Sequence, residues 1–187
     1  MTMFIRSERL FLRPGWPEDW QEAHAGIADE VIVRNLVGAP WPYGADDARR
    51  LAARAQDQRH PHFFITLPTA AGPARIIGGI GLDPRGGAAD LGFWIARAHW
   101  GQGYASEAAR AVLDLAPVLG HRRIVASHFT DNPASGRVLC KLGFRPTGRT
   151  VMRHSRGRAS QAEAIEYALE LDGRRDRDDD PPLMRAA

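Results

Sequence analysis

The stretch Trp100-Gly101-Gln102-Gly103-Tyr104-Ala105-Ser106-Glu107-Ala108 joins two glycines to a run that reads as the start of a helix. The first turn of a helix carries unpaired N–H groups and a partial positive charge. Gly101 and Gly103 omit the side chains that would stand between those N–H groups and a ligand. The chemistry on offer is anion binding of the kind a pyrophosphate uses. The same spacing also suits a tight turn with no ligand. The loop is not a Walker loop, because Gly-Lys-Ser/Thr is missing, and Gly-x-Gly-x-x-Gly does not occur in it. A second segment, residues 131–144, places Asn132 at a helix N-cap, Pro133 at the first helical position and Gly143 at the stop. Alone it reads as a well-capped surface helix. Cys140 lies within it beside Leu139, with no His/Asn set positioned by sequence. It reads as a small buried or half-buried residue, not as a nucleophile.

These segments need a scaffold, and the flanking pattern supplies one. Strands are expected at residues 4–13, 63–67, 75–82, 89–96, 123–129, 145–152 and 162–171. Helices are expected at residues 17–28, 29–36, 46–58, 104–119 and 133–142, with a Gly/Pro/aromatic loop at 37–43. The order is that of an α/β or α+β protein with a mixed sheet.

Composition narrows the class. One cysteine among 187 residues cannot make an intramolecular disulfide, so the chain is no disulfide-stapled scaffold. Residues 1–171 read as one domain, and residues 172–187, with Asp178-Asp179-Asp180-Pro181-Pro182, as a disordered tail with almost nothing apolar to bury. The longest charge-free stretch, residues 60–74, contains Pro61, Pro68 and Pro73. A membrane span needs about 20 unbroken apolar residues. Arg6, Glu8 and Arg9 fall where a signal peptide would be apolar, so a soluble, cytoplasmic protein is expected. Net charge is +3 with a pI near 9.6. Lys141 is the one lysine among 25 basic residues, and the arginines are interleaved with 22 acids along the whole chain. A nucleic-acid binder would cluster them in a stripe, so that class is not expected.

Taken together, the motifs resemble the GNAT superfamily of acyl-CoA N-acyltransferases, in its branch of ribosomal-protein-alanine/serine N-acetyltransferases. Ser7-Glu8-Arg9-Leu10-Phe11-Leu12-Arg13 is similar to that branch's opening motif. Leu91-Gly92-Phe93-Trp94-Ile95 and Trp100 through Ala108 resemble its coenzyme strand and loop, and Asn132-Pro133-Ala134-Ser135 with Lys141-Leu142-Gly143-Phe144 its closing helix. The resemblance spans roughly residues 3 to 171. It implies a mostly antiparallel central sheet of six to seven strands, flanked by helices, with a splayed parallel pair.

It also implies acetyl-CoA as co-substrate and an amine acceptor, with no metal required. The pyrophosphate would sit on the N–H groups of Gln102, Gly103, Tyr104 and Ala105, with Trp100, Gly101 and Ser106 close by. Trp100 stands where the superfamily favours Arg or Gln, so phosphate binding should depend on backbone. Phe93, Trp94 and Ile95 match the strand that lends main-chain bonds to the pantetheine arm. Asn132 and Ser135 match coenzyme-contacting positions. Many relatives place a tyrosine acid seven residues after the Asn; Leu139 stands there, leaving Ser135 as the nearest hydroxyl or water anchor. For the base the candidates are Asp90 and His128, on or beside the strands flanking the gap. Trp41 and Tyr43 are the favoured acceptor-pocket residues, with Trp16, His62 and Phe64 as further wall candidates.

The resulting function is N-acetyl transfer to a primary amine (a protein N-terminus, an amino acid, a polyamine or an aminoglycoside) by direct attack in a ternary complex. The alternative, kept open by Leu139, is a non-catalytic acyl-CoA-binding sensor or interaction module on the same fold. The oligomeric state is open, a homodimer included.

Overall fold

A computed structural model describes residues 3–70 and 72–171; the tail expected at 172–187 lies outside the described residues. The strands are β1 (Ile5–Arg6), β2 (Phe11–Arg13), β3 (His62–Leu67), β4 (Arg75–Arg85), β5 (Ala88–Ile95), β6 (Arg123–Phe129), β7 (Arg145–Ser155) and β8 (Ser160–Glu170). The helices are α1 (Trp20–Ile27), α2 (Glu30–Val33), α3 (Ala45–Ala52), α4 (Tyr104–Leu115) and α5 (Pro133–Lys141). One sheet runs in the order β1-β2-β3-β4-β5-β6-β8-β7.

The sheet has eight strands, not six or seven, because residues 4–13 fold as a hairpin. The Ser7 N–H donates to the Leu10 carbonyl at 3.0 Å, and the Leu10 N–H to Ser7 Oγ at 3.2 Å. The helix expected over 104–119 ends at Leu115. Ala116 keeps helical backbone, but Pro117 has no N–H to donate to the next carbonyl, so the ladder of helix bonds stops there. The helix expected over 46–58 ends at Ala52, since residues 53–58 are all exposed and have no core to pack on.

The two faces of the sheet carry separate apolar clusters. Leu82, Leu91, Ala126 and Ile77 pack beneath α4, with Ala108, Val112 and Leu113, and reach Leu139 of α5. Phe64, Ile76 and Trp94 pack on the opposite face against Ala23, Ile27, Val33 and Ala48 of α1–α3. The alternation along β5 divides Leu91 and Ile95 from Trp94 in the way a period of two requires.

All adjacent pairs are antiparallel except β5 and β6. Those two pair in parallel only at Ala89–Ile124 and Asp90–Val125. Beyond that point β5 follows β4 as far as Ile95–Gly78, and β6 follows β8 as far as Phe129–Ala164. Each keeps its antiparallel ladder, the more stable pairing per residue. The sheet therefore opens into a V, with the N-termini of α4 and α5 after its two arms.

Candidate active site

The loop at the mouth of the V is built on left-handed backbone. Gly101 has φ 75° and Gly103 has φ 82°, a region that strains any L side chain. A Cβ placed on Gly101 would meet nothing within 4 Å, so the loop presents open backbone. Gly103 caps α4, and the first intrahelical bond runs from the Glu107 N–H to the Gly103 carbonyl. The N–H groups of Tyr104, Ala105 and Ser106 are therefore left without intrahelical partners. Gln102 Nε2 donates to the Ala98 carbonyl at 3.3 Å. The indole N–H of Trp100 donates to the Ile95 carbonyl at 2.6 Å. That bond turns the ring back onto the end of β5.

A clasp behind the loop was not foreseen from sequence. The Glu107 carboxylate accepts from Ser7 Oγ (2.8 Å), the Arg9 N–H (2.7 Å) and Arg9 Nε (2.7 Å). Arg9 Nη1 donates to the Gln102 carbonyl at 3.1 Å, and its guanidinium lies 4.6 Å over the Tyr104 ring. Burial pushes the Glu107 carboxyl up, but the Arg9 and Ser7 bonds outweigh it and hold it below its ordinary value.

Along β5, Phe93 and Ile95 turn toward the α4 face and Trp94 into the α1–α3 cluster. What the strand offers the gap is its backbone edge, which has no strand partner past Asp90 on the β6 side. On the other arm Asn132 stands at the N-cap of α5 as expected. Its side chain does not cap the helix; Nδ2 donates to Ser135 Oγ at 3.0 Å.

A cavity of about 790 Å³ lies on the α1–α3 side of the sheet and reaches the gap. Gly81, Gly92, Asp90, Ser127, Ser135 and Tyr43 all line it. Asp90 belongs to the last paired position before the strands part. Its Oδ2 accepts from Arg85 at 3.2 Å and from Arg153 at 3.0 Å. Arg153 also donates to Ser127 Oγ, and Arg85 to Glu166 at 2.9 Å. Both arginine bonds fall on Oδ2, which leaves Oδ1 without a partner among the described residues in a side chain that lines the cavity. Burial pushes the Asp90 carboxyl above its ordinary value, against the pull of Arg153 and Arg85.

His128 also lines the cavity, but both its ring nitrogens are engaged. Nδ1 lies 2.8 Å from the Phe129 carbonyl and Nε2 3.3 Å from the Tyr167 hydroxyl. A carbonyl can only accept, so Nδ1 carries the proton and donates it. His62 faces the cavity from β3, with Nε2 3.2 Å from Asp83 Oδ1. The bonds from His62 and Arg54 hold Asp83 down at about 2, against the effect of its burial. Asp83, Arg85, Arg153 and Glu166 carry no motif; their role comes from cross-strand placement alone.

Tyr43 is buried, and burial together with Asp47 pushes its phenol up to about 12. Trp41, expected beside it in the pocket, is 41% exposed and outside the cavity lining. Trp16 is likewise outside, stacked under Arg13 at 4.0 Å, whereas Phe64 both packs in the core and lines the cavity. Cys140 is exposed, not buried or half-buried, and does not line the cavity.

Residues 9–145, more than half of the chain, match the model of the acetyltransferase (GNAT) domain. An uncharacterized N-acetyltransferase of Bacillus subtilis, YoaA, is 28% identical over 159 residues, covering 79% of this chain and 86% of the relative. A GNAT-family acetyltransferase of Bacillus anthracis superposes with a TM-score of 0.75 at 25% identity, over 90% of this chain and 98% of that one. RimL, a ribosomal L7/L12 alpha-N-protein acetyltransferase solved with coenzyme A, superposes with a TM-score of 0.72 at 19% identity, over 91% and 99% of the two chains. The splayed β5–β6 pair, the glycine loop opening α4 and the domain match agree: this chain belongs to the GNAT family of acetyltransferases.

Proposed function

We propose that the protein transfers an acetyl group from acetyl-CoA to a primary amine by direct attack in a ternary complex. The observation that carries this is one shared gap. The glycine loop and the free edge of β5 lie at its mouth, and a cavity large enough for a small acceptor meets it from the α1–α3 side. Both substrates can therefore be present at once, and no covalent enzyme intermediate is required.

In this reading the N–H groups from Gln102 to Ala105 hold the pyrophosphate, with Trp100, Gly101 and Ser106 shaping the loop. The unpaired edge at Phe93, Trp94 and Ile95 bonds the pantetheine arm. Asp90 Oδ1 takes a proton from the acceptor ammonium, which must be neutral to attack. The amine nitrogen bonds to the thioester carbon, the C–S bond breaks, and the second proton the nitrogen loses ends on the thiolate, which leaves as the free thiol of coenzyme A. A backbone N–H of the splayed strand faces the developing oxyanion. Ser135, oriented by Asn132, stands as hydroxyl or water anchor for the departing thiolate. The engaged nitrogens of His128 make it a packing residue in this scheme and leave Asp90 as the base. Tyr43 forms part of the acceptor wall.

The test is thiol release from acetyl-CoA with a panel of primary amines, followed by two-substrate kinetics. Intersecting double-reciprocal lines are expected. Parallel lines would mean a covalent acetyl-enzyme and sink the ternary-complex mechanism.

A further inference from the structure

The acceptor chamber holds more positive than negative charge. Among the described residues, arginines 50, 54, 85, 153 and 156 line it against Asp47, Asp83 and Asp90. Every one of those carboxylates already has an arginine. Asp47 pairs with Arg50 at 2.6 Å, Asp83 with Arg54 at 2.7 Å, and Asp90 with both Arg85 and Arg153, of which Arg85 also pairs with Glu166 at 2.9 Å, so the surplus charge is that of Arg156. Arg156 has no carboxylate partner among the described residues. Its backbone N–H donates to the Val37 carbonyl at 3.1 Å and its Nη1 to the Gly38 carbonyl at 3.2 Å. Those two bonds pin it to the loop that borders the chamber, and its remaining guanidinium donors have no partner among the described residues.

A guanidinium fork matches the two oxygens of a carboxylate or the face of a phosphate. A second ammonium on the acceptor would instead meet uncompensated positive charge. We infer that the acceptor is an amine that also carries an anionic group, a carboxylate or a phosphate, and that Arg156 holds that group. This rests on the transferase reading above. Arg156 lies three residues beyond Arg153, whose guanidinium holds Asp90, so both arginines enter the chamber from the end of β7. The acceptors this suits are an amino acid, the first residues of an acidic peptide or a small phosphoamine. Polyamines and aminoglycosides do not fit.

The experiment compares matched acceptors in the thiol-release assay: Ala-Glu-amide against Ala-Gln-amide, phosphoethanolamine against ethanolamine, and spermidine as the cationic arm. The wild type is expected to prefer the anionic member of at least one pair by about tenfold or more in kcat/KM; which pair responds tells carboxylate from phosphate. Arg156→Gln should erase that preference through KM, with kcat and the acetyl-CoA-induced thermal shift unchanged. Arg156→Glu should turn the preference toward Ala-Lys-amide. Equal use of neutral, cationic and anionic acceptors by the wild type would overturn the inference, as would a preference that survives Arg156→Gln. A wild type that binds acetyl-CoA yet releases no thiol with any of these amines removes the transferase reading itself, and the inference with it.

Discussion

Asp90 is pulled two ways: burial favours its protonated form, and Arg85 with Arg153 favour the ionised one. Burial wins, so the folded-state carboxyl titrates above its unfolded value. The unfolded chain then releases this proton first, and stability falls as pH rises through that window. Asp90→Asn keeps the side chain's shape and is expected to lower kcat by roughly 10²–10⁴-fold, the range for loss of a general base. It should also flatten the acid limb of the kcat/KM profile. Retained activity would pass the base role elsewhere. Gly103→Glu tests the loop at the same scale. At φ 82° a side chain is strained, and its carboxylate would oppose a pyrophosphate. Loss of coenzyme A binding by calorimetry is expected; wild-type affinity would refute the loop assignment. Both residues could be named from sequence. Trp41 could not be placed from the same loop, because which of its aromatics turns inward depends on α3 and the sheet beneath it.

Between elements, the β1–β2 turn clasps α4. A trans peptide points its C=O and the following N–H in opposite directions. Arg9 bonded to the Gln102 carbonyl therefore fixes the Gly103 N–H on the far side, where the anion would lie. Arg9 also anchors on Glu107, and its side chain is 44% exposed. Exposed ion pairs add little to global stability. Arg9→Gln should thus move the melting temperature by only a few degrees, yet weaken acetyl-CoA binding by roughly tenfold, the scale of one lost charged hydrogen bond. Unchanged affinity would make the clasp purely structural. The Ser7-to-Arg13 motif is visible in the sequence as a motif. Its partner is 98 residues away from Arg9, and no local pattern announces it.

For the whole molecule, binding is linked to stability. At acetyl-CoA near 100 times its dissociation constant the native state gains about 2.7 kcal/mol, a rise of roughly 5–10 °C for a chain of this size. Absence of any rise at millimolar ligand would contradict coenzyme binding. Acid should act through Asp83, held at about 2 by His62 and Arg54. Its folded value lies below the unfolded one, so its contribution is complete above pH 4 and is lost as pH falls toward 2. Asp83→Asn should reduce the dependence of melting temperature on pH in that range. The sequence alone determined the starts of α4 and α5, the stop of α5 at Gly143, the alternation along the strands and the order of the motifs. Each of these is set by a few consecutive residues and their backbone preferences. The tertiary structure decided the rest: the V between β5 and β6, the charge of the chamber and the partners of Asp90. Those depend on pairs such as Arg85 with Glu166 and Arg153 with Asp90, 81 and 63 residues apart, which meet only when the strands take their places in the sheet.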